Sequence, residues 1–174
     1  MTEDPDIGEL LRGGLQGVMM ERVEPAEIPR PYRELLCHDH DMTSTLAAFH
    51  GGEVVLEILN EERESGGYLR EVLLKVNGRP VEYGVIRIFL ERFPGPLREG
   101  ILGGGRPLGA LLNESGLRYH SRPRGFLRIR REEFQPEFFP ARDGKFLFGR
   151  YNELLVQGDG VLARIIEILP TETI

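Results

Sequence analysis

The stretch Y-L-R-E-V-L-L-K-V-N-G-R-P-V-E-Y-G-V-I-R-I-F-L, residues 68–90, reads as two strands joined at Asn77-Gly78. β-Branched and aromatic residues dominate both arms, and Asn-Gly supplies the positive-φ positions that a two-residue hairpin requires. The pair is therefore expected to be antiparallel. Strand side chains alternate between faces, so Arg70 shares a face with Val72, Leu74 and Val76, while Glu71 and Lys75 mark the wetter side. A guanidinium among aliphatic side chains needs a partner or a ligand, because an unpaired buried charge costs several kcal/mol even after relaxation.

The same strand texture recurs outward from this hairpin. It appears in E-V-V-L-E-I-L-N-E (53–61), in the arginine-bearing stretch 117–133, in K-F-L-F-G-R-Y-N-E-L-L-V (145–156) and in V-L-A-R-I-I-E-I-L (161–169). With Gly158-Asp159-Gly160 turning the last pair, the count is six strands in a mostly antiparallel sheet. In the last strand Glu167 lies with Val161, Ala163, Ile165 and Leu169, so a second charge points inward.

The residues before the strands read as helical. D-I-G-E-L-L-R-G-G-L-Q-G-V-M-M (6–20) has helix-like apolar spacing weakened by its glycines, P-R-P-Y-R-E-L-L-C (29–37) opens on proline, and T-S-T-L-A-A-F-H (43–50) closes at Gly51-Gly52. Between the third and fourth strands, residues 94–116 are too long for a hairpin and carry helical fragments at 96–102 and 107–114. Such an insertion is a lid or pocket wall. The expected fold is α+β: a six-stranded, mostly antiparallel sheet with helices packed on one face and a ligand pocket between sheet and helical lid. One domain spans 1–174, with 1–40 as a helical segment packing on it.

Composition narrows the function. A chain of 174 residues buries roughly two thirds of its unfolded surface and needs no staples. One cysteine forbids an internal disulfide, and no basic-then-apolar leader opens the sequence, so a cytoplasmic setting is expected. No apolar run approaches the roughly 20 residues that span a bilayer, so no membrane partner is expected. A net charge of −6 and a pI near 5.3 argue against nucleic acid, which demands a positive contact surface. Arg118, Arg122, Arg124, Arg128, Arg130 and Arg131 crowd one stretch; a run of this kind is a solvated strand face or a local field for a small anion.

In C-H-D-H-D-M (37–42), histidines and aspartates alternate beside the cysteine. His38 and His40 share a face of an extended segment, but a third metal ligand has to come from afar, so no metal is assigned and Asp41 is read as the cap of the following helix. Gly103-Gly104-Gly105-Arg106 lacks the lysine and hydroxyl residue of a phosphate loop and reads as a hinge between two lid helices.

Five blocks, D-M-T-S-T-L, Y-L-R-E-V-L-L-K-V-N-G-R-P, G-R-P-L-G-A-L-L, L-F-G-R-Y-N-E-L-L and I-I-E-I-L-P, resemble in order and rough spacing the motifs of the chorismate pyruvate-lyase family over residues 41–170. That family's fold is shared by the ligand-sensing domains of some bacterial transcription regulators. The resemblance implies elimination of pyruvate from chorismate to leave 4-hydroxybenzoate, without cofactor. It places the carboxylate-binding arginine at Arg70, the catalytic glutamate at Glu167, and contacts to the aromatic acid at Met42 and Leu108. Where the bacterial enzymes carry an arginine after the glycine of the third strand, this chain has Val85 after Gly84; Arg87, two residues on, is the expected substitute. Residues 134–145 look like an insertion. The alternatives are a non-catalytic module binding a small aromatic carboxylate in the same pocket, and a lyase acting on another substrate.

Overall fold

The structure, a computed structural model, describes residues 5–11, 13–65, 67–134, 136–139, 144–158 and 160–170. Its strands are β1 (Met20–Val23), β2 (Val54–Glu64), β3 (Gly67–Val76), β4 (Arg79–Ile88), β5 (Tyr119–Arg130), β6 (Phe146–Val156) and β7 (Val161–Leu169). Its helices are α1 (Pro5–Leu10), α2 (Tyr32–Leu36), α3 (Met42–His50), α4 (Gly95–Leu102) and α5 (Leu108–Ser115). The strands form one sheet in the order β1-β5-β6-β7-β4-β3-β2, and every neighbouring pair is antiparallel.

The sheet has seven strands where the sequence suggests six. The extra one, β1, lies at the edge and pairs Met20 with Ile129 through Val23 with Phe126. M-E-R-V is too short to display an alternation of its own; β5 imposes its extended form by hydrogen bonding. The helical segment expected over 1–40 therefore contains a strand. The deciding hairpin is as expected: Asn77 and Gly78 take φ of 51° and 75°, the primed-turn geometry that matches strand twist. Asp159 of the last turn, and residues 135 and 140–143 of the segment 134–145, lie outside the described residues.

Because β4 pairs with β3 and β7 while β5 pairs with β1 and β6, the chain from 89 to 118 must cross the sheet. It carries α4 and α5 over one face, where Leu97, Ile101, Leu108 and Leu112 pack on Ile86, Ile88, Leu154 and Ile165. On the same face α2 and α3 set Leu36, Met42 and Leu46 against Val72, Leu74 and Phe148. A fully buried leucine such as Leu36 or Leu46 contributes about 1.5–3 kcal/mol. The opposite face is covered by α1, the 3-10 turn Gly13–Leu15 and Phe134 with Phe139, which pack on Leu73, Tyr83, Leu127 and Ile166.

Two helix starts meet over the sheet. Asp41 caps α3 by accepting from the Ser44 N–H at 2.8 Å, and Gly51 ends it with φ 67°. α5 begins after Pro107 without any side-chain cap. Asn113 of α5 donates to Asp41 at 3.2 Å and Ser44 at 3.3 Å. The contact needs Gly109, where a Cβ would stand 2.8 Å from Thr43 Oγ1 and 3.0 Å from Asp41 Oδ1.

Candidate functional site

Between the front face of the sheet and the starts of α3 and α5 lies a cavity whose lining includes Met42, Arg70, Glu82, Leu108, Asn152 and Glu167. Four residues singled out from sequence, Met42, Arg70, Leu108 and Glu167, are thus brought together. Leu56, Val72, Leu74, Ile86, Leu154 and Ile165 supply its apolar floor. The first turns of two helices border it, so their unbonded N–H groups and positive dipole ends favour an anion there. Gly104 and Gly105, which precede α5, both take positive φ (67° and 80°).

Arg70, on β3, is 2% exposed. Its Nη1 reaches the Ile101 carbonyl only at 3.5 Å, its Nε has no hydrogen-bond partner, and its charge lies 5.9 Å from the Tyr68 ring centre. Among the described residues no carboxylate forms an ion pair with it. Burial pushes the guanidinium pKa down, and nearby Tyr68 and Glu61 counter that shift.

Glu167, on β7 and 3% exposed, is differently placed. It is ion-paired with Arg150 of β6, whose Nε donates to Glu167 Oε2. Arg150 Nη1 also donates to the carbonyls of Leu36 (3.3 Å) and His38 (3.0 Å), and Nη2 to that of His40 (3.3 Å). One side chain therefore ties the site glutamate to the segment 36–40 that delivers α3. The Arg70–Glu167 ion pair that the two inward charges suggest is not formed.

A second buried carboxyl at the site is Glu82 on β4, 3% exposed, with Oε2 unpartnered. Burial and then the neighbouring Glu167 push its pKa well above the ordinary 4.5, opposed by Arg150. Asn152 is held by Ser121, donating to Ser121 Oγ at 2.8 Å. Sequence reasoning missed both Glu82 and Arg150. The signal was present, since Glu82 shares its face with Gly84, Ile86 and Ile88 as Arg70 does with valines and leucines.

Arg87 corrects an expectation. It lies opposite Leu69 in the β3–β4 register and projects to the back of the sheet, where it pairs with Glu9 at 2.8 Å and Glu64 at 3.6 Å. Val85 packs in the back core with Tyr83. Residues two apart share a face, so substituting for position 85 commits Arg87 to the wrong side of the sheet.

In C-H-D-H-D the His38 ring is engaged at both nitrogens: Nδ1 accepts from the His40 N–H at 3.1 Å, which leaves Nε2–H to donate to the Leu35 carbonyl at 2.7 Å. Among the described residues no group of three His, Cys, Asp or Glu is placed to hold a metal ion. Nor is any helix among them long and apolar enough to cross a membrane.

No family model and no curated protein sequence matches the chain. Solved structures do. The effector domain of PhnF from Mycobacterium smegmatis superposes with a TM-score of 0.52 at 13% identity, covering 75% of this chain and 88% of that domain. A second PhnF structure from the same organism gives 0.50 at 13% identity; the match covers 75% of this chain and 63% of that one. A GntR-family transcriptional regulator from Bacillus cereus gives 0.46 at 13% identity, covering 70% and 97%. At this identity the likeness is one of fold: an antiparallel sheet with helices, as in the PhnF effector domain.

Proposed function

We propose that this chain is a binding domain for a small organic carboxylate, held by Arg70 and the starts of α3 and α5. The observation that carries the reading is Arg70, buried at 2% exposure against the cavity with no ion-pair partner among the described residues. A buried guanidinium of this kind costs several kcal/mol, and a carboxylate ligand offsets that cost through charge-assisted, bidentate hydrogen bonds that lysine cannot reproduce. The apolar floor suits a ring or short hydrocarbon body. The fold shared with a PhnF effector domain supports a non-catalytic role.

Calorimetry with benzoate and 4-hydroxybenzoate tests this reading. Arg70→Met is expected to weaken binding by about tenfold to a hundredfold, the worth of hydrogen bonds to a charged group. Unchanged affinity in that variant removes Arg70 as the anchor.

A second reading, chorismate pyruvate-lyase, draws on the gathering of Met42, Arg70, Leu108 and Glu167 around one cavity. Loss of the enolpyruvyl group together with a ring hydrogen makes the ring aromatic, so the chemical demand is proton movement at the breaking ether bond or the ring hydrogen. A positioned carboxyl contributes about a hundred- to ten-thousandfold to such a step. Glu167, Glu82 and Asp41 are the carboxyls that line the cavity, and Glu167 and Glu82 are the buried ones. Incubation with chorismate, following pyruvate and 4-hydroxybenzoate, separates the readings: a folded protein that binds 4-hydroxybenzoate but forms neither product is a binding domain.

A further inference from the structure

The carboxylate-binding reading accounts for Arg70 and leaves Glu82 unexplained. Of the charged side chains lining the cavity, Asp41 accepts from the Ser44 N–H and Asn113, and Glu167 is ion-paired with Arg150, which itself lies behind the lining. The buried atoms there that have no partner are Arg70 Nε and Glu82 Oε2. A buried polar atom left unpaired costs about 1–3 kcal/mol, and two on side chains that line one cavity point to one ligand.

Their spacing describes that ligand. Arg70 stands opposite Ile86 and Glu82 opposite Leu74, so they are four residues apart along the hairpin, about 13 Å at roughly 3.3 Å per residue. Val72, Ile86 and Ile165 line the interval with hydrocarbon. A Cβ at Gly84, between the two, would crowd Val72 Cγ2 at 3.2 Å and touch Glu82 Oε1 at 3.4 Å.

We infer that Glu82 determines the specificity of the site by recognising an uncharged hydroxyl or carbonyl group at the far end of the carboxylate ligand, across an apolar body about the length of an aromatic ring. The inference rests on the carboxylate-binding reading and deepens it. Burial and Glu167 both push the Glu82 pKa up against the pull of Arg150, which favours the protonated carboxyl, whose O–H can donate to such a group. Glu167 remains committed to Arg150. A ligand with a hydrogen in place of the hydroxyl leaves Glu82 unpaired, which is how a site built for a polar group discriminates.

Calorimetry on matched pairs tests it: benzoate against 4-hydroxybenzoate, cinnamate against 4-hydroxycinnamate, with 4-(aminomethyl)benzoate as the cationic arm. In the wild type the hydroxyl is expected to tighten binding about tenfold in at least one pair. Glu82→Gln, which keeps an uncharged donor, retains that preference. Glu82→Leu abolishes it while binding the unsubstituted acids at least as well, and melts no lower than the wild type because an unpaired polar group has been removed. A wild type without the preference, loss of it in Glu82→Gln, or its survival in Glu82→Leu overturns the inference and leaves Arg70 as anchor. Tighter binding of the aminomethyl acid than of 4-hydroxybenzoate also overturns it, since that requires an ionised Glu82. Failure of every acid to bind removes both the inference and the reading beneath it.

Discussion

Arg150 and Arg70 lie on the same face of the sheet and are buried to nearly the same degree, 0% and 2% exposed, yet their surroundings differ. Arg150 donates from all three nitrogens, to Glu167 and to carbonyls of the segment before α3. Arg70 has a long contact to the Ile101 carbonyl, the Tyr68 ring 5.9 Å from its charge, and an unpartnered Nε. Burial alone therefore does not separate a structural cation from a binding one. The tally of satisfied donors does, because a side chain whose hydrogen bonds are all internal has none to offer a ligand.

The largest effect should come from breaking the saturated pair. Arg150→Met strands Glu167 in the core and unties the carbonyls of Leu36, His38 and His40; urea titration is expected to show a loss of about 3–5 kcal/mol. Arg70→Met, by contrast, should leave the unliganded protein within about 1 kcal/mol of wild type or more stable, since it removes a buried charge that Tyr68 and Glu61 offset only in part and that no carboxylate among the described residues ion-pairs. Equal losses at the two sites would erase the distinction.

Next in size is the lid. In Gly109→Ala the new methyl meets Thr43 and Asp41 at about 3 Å, which prises α5 from α3. The expected cost is about 1–3 kcal/mol of stability, with weaker carboxylate binding because the two helix starts no longer meet over Arg70. Unchanged binding would show that the sheet alone anchors the ligand.

The smallest effect is a drift with pH. The Glu82 pKa is raised in the folded state, so its contribution is fully present below the ordinary carboxyl value of 4.5 and is lost as pH rises toward the folded-state pKa. Glu82→Gln does not titrate. Its stability relative to wild type should therefore be constant in acid and improve progressively above that value, measured by denaturant midpoints across the range. A constant difference throughout would mean that Glu82 titrates as an exposed carboxyl does.

Much of this site is legible in the amino-acid sequence. Alternation along 68–76 and 161–169 turns Arg70 and Glu167 inward, and the resemblance of the M-T and P-L-G blocks points to Met42 and Leu108; all four line the cavity. The same alternation applied to 81–88 would have turned Glu82 inward and Arg87 outward. Arg150 is harder: its strand is buried on both faces from Leu147 to Leu155, so neither face stands out as apolar. β1 carries no periodic signal in its four residues and exists through its pairing with β5.

By itself the sequence determined the hairpin at Asn77-Gly78, the antiparallel class of the sheet and the inward aim of Arg70 and Glu167, because these depend on a two-residue period and on turn chemistry that act locally. The tertiary structure alone decided which charges meet. Glu167 could have paired with Arg70, but the β6–β7 register sets Arg150 directly opposite it, and that contact leaves Arg70 without an ion pair among the described residues. Partner choice between buried charges is settled by register and distance across strands remote in sequence, which no local pattern encodes.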